Sequence, residues 1–213
     1  MQRRGATEFE SMLREINAAT VKAVPGAQYS CLTVVESGQQ VSSLAATHQY
    51  PILLDEIQAE VLDGPCLSAA WNHHTVSIED LNTETRWPQY RAAAMRSTPI
   101  RSIVSFRLFG DGETLAALNL YAEAAHAFDE ESIELGLIYA AHTAVAWNMM
   151  RRNQQFRSAL ASRDVIGQAK GILMERFAID AFAAFDLLRR LSQESNTKLV
   201  DIAERVIADR RST

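Results

Sequence analysis

From Asp129 to about Ala161 the chain has no proline and a single glycine, Gly136, so nothing in that stretch interrupts a helix. Ile138, Val145, Met149, Phe156 and Leu160 recur along it at helical intervals, interrupted by His142 and Arg152. The first half is apolar on further sides, with Leu135, Leu137, Ala141, Ala144 and Trp147. That is the pattern of a helix packed on a sheet and also on a second helix. The spacing predicts one long helix, and parallel pairing of two copies in a homodimer accounts for the extra apolar surface. An amphipathic helix of a monomer is the simpler alternative. Either way, a helix of this length divides the chain into an N-terminal and a C-terminal part.

The N-terminal part mixes helices and strands. A helix is expected over about Thr7–Val24, with Phe9, Leu13, Ile16 and Thr20 on one face and Pro25-Gly26 ending it. Tyr29–Glu36 reads as a strand, and a turn at Ser37-Gly38 leads to a second strand reaching about Ala46. Helical segments come next at Ile52–Leu62 and around Cys66–His73, then a short strand at Thr75–Ile78 and a small helix at Tyr90–Met95. The clearest strands are Ser102–Phe109, where Val104, Phe106 and Leu108 alternate with Ser105 and Arg107, and Leu115–Tyr121. Gly110-Asp111-Gly112 between them is a hairpin turn, because glycine and aspartate tolerate its positive φ. An antiparallel pair mixed with helices indicates an α+β domain rather than a doubly wound one.

The C-terminal part is smaller and differently charged. Residues 1–150 hold 9 Lys and Arg against 18 Asp and Glu, whereas residues 151–213 hold 12 against 8. A basic C-terminal part on an acidic body points to an anionic partner for the former. Three short amphipathic helices are expected there. Ser162 would cap the first (Ile166, Ala169, Leu173, Phe177 inward) and Asp180 the second (Phe182, Phe185, Leu188, Leu191 inward). Leu199, Ile202, Ala203, Val206 and Ile207 form the inward face of the third. Along the first of these helices Arg163, Lys170 and Met174 fall on a strip flanking the core side, with Gly167 and Gly171 beside it. Each glycine costs the helix about 1 kcal/mol against alanine. That cost makes sense where another backbone comes close, whether a nucleic acid's or a neighbouring helix's.

Catalytic chemistry has little to stand on. The chain lacks a phosphate-cradling glycine loop, an H-E-x-x-H and a G-x-S-x-G. His73-His74 is a pair of adjacent residues whose side chains point apart, so shared metal ligation is not expected. Cys31 and Cys66 lack metal-ligand spacing and read as core residues. Asp129-Glu130-Glu131 opens the long helix, where negative charge favours the helix dipole. The N-terminus, MQRRGATEFE, has no apolar secretory stretch, and no apolar run suits a membrane span. A cytoplasmic protein that is not an enzyme is expected, with no metal and no cofactor indicated.

Resemblance adds to this reading. The run from Ser162 to Arg176, S-R-D-V-I-G-Q-A-K-G-I-L-M-E-R, is similar to the signature of the ANTAR family. Its continuation at Ala184-Phe185, Leu187-Leu188-Arg189, Ser192, Asn196, Lys198-Leu199 and Ile202-Ala203 fits as well. The family motif falls on Arg163, Ala169, Lys170, Gly171 and Arg189. The resemblance implies a three-helix RNA-binding module of the kind that holds paired hairpin loops in nascent mRNA and prevents a terminator from forming. With the strip, it implies RNA-binding roles for Arg163, Gly167, Lys170, Gly171, Met174 and Arg189.

About Thr7–Met150 resembles a GAF domain. The matching residues are Gly26-Ala27, Asp63-Gly64-Pro65-Cys66-Leu67, Asp80-Leu81, Arg86-Trp87-Pro88, Arg101-Ser102 and Ala117-Leu118-Asn119-Leu120-Tyr121 through Phe128-Asp129. This implies an antiparallel sheet flanked by helices, one face of which can hold a small molecule, with ligand residues unknown. Two departures, Arg107-Leu108 for the usual Pro-Leu and Ala116 or Ala117 for a usual glycine, would narrow such a pocket.

The resulting expectation is a sensor domain over 1–150, a helical linker over 151–161 and a three-helix domain over 162–213. Its function would be RNA-binding transcription antitermination under control of a sensed small molecule or other signal. A helix-turn-helix DNA-binding regulator and a dimeric signalling scaffold without nucleic acid remain the alternatives.

Overall fold

The computed structural model describes residues 2–36, 40–71, 75–110 and 114–210. The Ser37-Gly38 turn, His73-His74 and the Asp111-Gly112 part of the hairpin lie outside them. Two compact units divide at Met149 and Met150.

The N-terminal unit is built on a five-stranded antiparallel sheet of order β2-β1-β5-β4-β3. Its strands are β1 (Tyr29–Glu36), β2 (Gln40–Leu44), β3 (Thr75–Ile78), β4 (Ser102–Gly110) and β5 (Thr114–Ala122). The helices are α1 (Gln2–Ala23), α2 (Gln49–Val61), α3 (Pro65–Trp71), α4 (Pro88–Ser97) and the first part of α5 (Glu130–Phe177). Both faces of the sheet are covered. Cys31, Val76, Ile78, Ile103 and Tyr121 pack with Leu54, Ala69, Tyr90 and Ala94 of α2, α3 and α4. On the other face Val104, Phe106, Leu118 and Leu120 pack with Ala140 of α5, and Leu32 and Val34 with Leu13 of α1 and Trp147 of α5. Ser102–Phe106 and Leu115–Ala122 are therefore buried at every position, not only at alternate ones.

Two glycines fix where elements approach. Gly26 ends the first helix with φ +79°, and a Cβ there would overlap the Ala127 carbonyl, so only glycine suits the bend into β1. Gly136 lies where α5 crosses β4, and a Cβ would collide with the Phe106 ring. The loop between β3 and α4 is pinned to the strand ends by ion pairs and hydrogen bonds. Arg101 Nε and Nη2 donate to Asp80 at 2.7 Å each, the single Ser102 hydroxyl proton lies within reach of both the Glu79 and the Ala124 carbonyls, and Arg86 Nη2 donates to the Ser77 carbonyl. Arg101 holds the Asp80 carboxyl down at about 2.

α5 is one helix of 48 residues, so no helix begins at Ser162, against the expected cap there. The physical reason lies in the flanking sequence: Phe156–Val165 has neither glycine nor proline, and a serine inside a helix costs only a few tenths of a kcal/mol. Its start is capped as a helix should be, with Ser132 N and Oγ both donating to Asp129 Oδ1 at 2.9 and 2.7 Å.

The C-terminal unit consists of the remainder of α5, α6 (Ala181–Glu194) and α7 (Leu199–Arg210). Asp180 caps α6, accepting from Phe182 N and Ala183 N. Ala169 and Leu173, Ala184 and Leu188, and Ile202 and Ala203 make the core, two residues from each helix. Four residues expected inward are not there: Phe177 is 56% exposed, Phe182 82%, Phe185 41% and Leu191 39%. An alanine beside a leucine or isoleucine on each helix lets the three approach closely, so the core is used up by one narrow stripe of each. On α6 that stripe is Ala184 and Leu188 with Leu187 at its edge, and the phenylalanines lie outside it. Among the described residues no helix is long and apolar enough to cross a membrane.

Candidate nucleic-acid interface and sensor interior

On α5 in the C-terminal unit, helical geometry brings Arg163, Gly167, Lys170, Gly171 and Met174 onto one side, next to the buried line through Ala169 and Leu173. Arg163, Gly167 and Gly171 are exposed, and Lys170 is half-buried. Met174 is half-buried and packs against the core, so it is partly a structural residue. A Cβ built on Gly167 or Gly171 meets nothing within 4 Å. No neighbour within the chain therefore needs these glycines, and each sacrifices about 1 kcal/mol of helix stability against alanine. These glycines leave a strip of helix surface bare of side chains, a shallow channel beside Arg163 and Lys170.

Arg189 stands on a different helix, α6, where its Nη2 donates to Asp186 at 2.6 Å. Arg190 donates to the other oxygen of the same carboxylate. Two guanidinium groups on one carboxylate lower the Asp186 carboxyl, through the hydrogen bonds from Arg189 and Arg190. The pairing leaves this exposed spot with a net positive charge.

The N-terminal unit contains a second feature, which sequence reasoning missed. Between the sheet and α2, the Asp55 carboxylate is buried and accepts from Ser43 Oγ at 2.6 Å, Thr33 Oγ1 at 2.8 Å and Gln58 Nε2 at 3.3 Å. Gln58 in turn accepts from Cys66 N, and Asn119 Nδ2 donates to Thr33 Oγ1 at 2.7 Å. Burial pushes the Asp55 carboxyl up to about 6, against the pull of the hydroxyl donors. The same burial raises Cys31, and carries Cys66 to about 12, so neither is a reactive thiolate. Asn119 Oδ1, Ser105 Oγ and Tyr90 Oη, all buried, have no hydrogen-bond partner among the described residues. An unsatisfied buried polar atom costs on the order of 1–3 kcal/mol, so this interior is polar beyond what packing needs. A signal was present in the sequence: Pro51, Leu54, Asp55 and Gln58 follow the spacing of a buried helical face, which places a carboxylate and an amide on it.

Comparison with known proteins gives each unit a relative. Residues 6–148 match the family model of the GAF domain, and residues 154–207 that of the ANTAR domain. No curated protein matches. Among solved structures, the GAF3 domain of a Synechocystis sp. PCC6803 protein, in its photoproduct state, is similar with a TM-score of 0.55 and 13% identity. The match covers 70% of this chain and 98% of that one. The GAF domain region of a Geobacter sulfurreducens PCA protein gives 0.52 at 14% identity, over 69% and 97% of the two chains. A domain described as part of a two-component sensor histidine kinase from Sinorhizobium meliloti 1021 gives 0.51 at 18%, over 67% and 96%. At these identities the likeness concerns the fold.

Proposed function

The chain belongs to the GAF domain family and carries an ANTAR domain behind it, and from that premise we propose that it is an RNA-binding transcription antitermination regulator. The C-terminal unit binds paired hairpin loops of a nascent transcript through Arg163, Gly167, Lys170, Gly171, Met174 and Arg189. The N-terminal unit receives a small molecule or other signal in its polar interior, around Asp55 and Asn119. α5 belongs to both units and carries the response between them. The protein works in the cytoplasm, as a homodimer paired in parallel along α5.

The observation that carries this reading is the open space over Gly167 and Gly171 beside Arg163 and Lys170. A sugar-phosphate backbone needs cations, and it approaches closest where no Cβ intervenes. Dimer formation is supported by the exposure of Ile138, Val145, Met149, Phe156 and Leu160, from 44% to 68% each, on α5. Their steps of seven and four residues repeat every eleven, which keeps them on one side of a nearly straight helix.

The test is binding of the purified full-length protein to a two-hairpin RNA from its own operon leader, against duplex DNA, across a salt series. Tight, salt-sensitive RNA binding is expected. Lys170→Ala should weaken it and flatten the salt dependence by about one phosphate contact, roughly 0.7–0.9 in the log–log slope. The variant should melt like the parent. Preference for duplex DNA would select a helix-turn-helix regulator. Binding of neither, with a nuclease-insensitive protein partner instead, would select a scaffold.

A further inference from the structure

We infer that Phe182 and Phe185 of α6 form a stacking platform for unpaired bases of an RNA loop, separate from the backbone channel on α5. The inference rests on the RNA-binding reading and adds a second recognition surface to it. Phe182 is 82% exposed and Phe185 41% exposed, although the core of the unit closes on Ala184 and Leu188 of the same helix. The helix does not need these rings to form, because its first turn is secured by the Asp180 carboxylate on Phe182 N and Ala183 N. Phe182 stands in solvent and Phe185 is close to half exposed on the same side, and two neighbouring exposed rings make an apolar patch of the kind that marks a binding surface.

The surroundings select the occupant. Three and seven residues along from Phe182, Phe185 and Arg189 share its side of the helix. The Arg189 guanidinium is fixed by Asp186 at 2.6 Å and accompanied by Arg190, so the face has two cations on one anion. The whole stretch from residue 151 onward carries 12 basic against 8 acidic side chains. Aromatic rings interleaved with arginine, on a basic unit, match the two parts of a single-stranded nucleic acid. The rings take the π-faces of bases, and the guanidinium groups take the phosphates between them. Arginine beside aromatic rings would also suit a protein partner, and it is the basic balance of the whole unit that selects an anionic ligand. Paired RNA would present no free base faces, so the ligand is a loop or another unpaired segment.

The experiment uses the full-length protein and the same two-hairpin leader RNA, beside a copy with abasic loop nucleotides. Phe182→Ala should reduce affinity for the intact RNA by roughly 5- to 150-fold, the range expected when one stacking aromatic is removed. Its melting temperature should match the parent's, since the ring is in solvent. Phe182→Trp should bind like the parent, and its emission should be quenched by the intact RNA but not by the abasic copy. Lys170→Ala separates the two readings. If it weakens binding while Phe182→Ala binds as tightly as the parent, stacking is overturned and the backbone channel stands. If the parent binds no RNA at any salt, both fall. If Phe182→Ala instead dissociates a dimer in sedimentation equilibrium with RNA affinity unchanged, the face is a contact between copies, and the inference is overturned.

Discussion

Asp55 is a carboxylate inside an apolar interior, and the sign of its effect on stability follows from burial. Its carboxyl is raised from 3.8 to about 6 in the folded chain, so the folded state holds its proton more tightly than the unfolded state. The group's contribution is therefore most favourable below pH 4 and is lost as pH climbs through about 6. At neutral pH the buried charge costs about 3 kcal/mol relative to an ordinary carboxylate. Melting curves of the parent and Asp55→Asn between pH 4.5 and 7.5 check this. The parent's melting temperature, relative to the variant's, should fall with rising pH over that window, and parallel profiles would rule the effect out. Single residues were legible in the sequence where the chemistry is local. Asp180 and Asp129 bond to their own helix ends, and a cap can be read from neighbours in the chain. Asp55 was not legible in that way, because its partners Thr33 and Ser43 reach it from two strands in a different part of the chain.

Elements were legible to the extent that their stopping signals are sequence signals. β1 and β3 span the residues read as strands, Tyr29–Glu36 and Thr75–Ile78. α5 ran past its expected end because Ser162 suits either a cap or a helix interior, and the absence of a nearby breaker decides between them. Inward and outward positions on α6 were misread for another reason. Periodicity identifies apolar residues without saying how many of them a core can hold, and one alanine with one leucine or isoleucine from each helix fills its centre here. On α5 the surplus runs the other way, with Val145 58% and Met149 68% exposed on one side. A Val145→Lys, Met149→Lys double variant should convert a dimer to a monomer in sedimentation equilibrium while circular dichroism keeps its helical signal. A parent that is already monomeric at micromolar concentration would dismiss the pairing.

At the scale of the whole molecule, the α+β character and the all-helical C-terminal part followed from hydrophobic period together with turn and cap residues. The motif residues from Asp80 to Ser102 could be recognised in the sequence, but their common task of pinning one loop to the strand ends emerges only in three dimensions. That two compact units share an unbroken helix was not legible, and it bears on how the smaller unit folds. Starting a helix is the costly step, because several backbone angles are fixed before the first hydrogen bond forms. With a nucleation constant near 10⁻³ the penalty is about 4 kcal/mol. The C-terminal unit avoids that step in its longest helix, which is already propagating from turns that Ala140 and Trp147 anchor in the N-terminal core. A fragment beginning at Ser162 must nucleate this helix for itself, whereas one beginning at Arg151 keeps three more turns in which to do so. Urea unfolding should find the longer fragment more stable, and equal midpoints would show that the helix gains nothing from its upstream turns. The ability of the last fifty residues to fold is thus, in part, a property of cooperativity inherited from the turns of α5 that precede them.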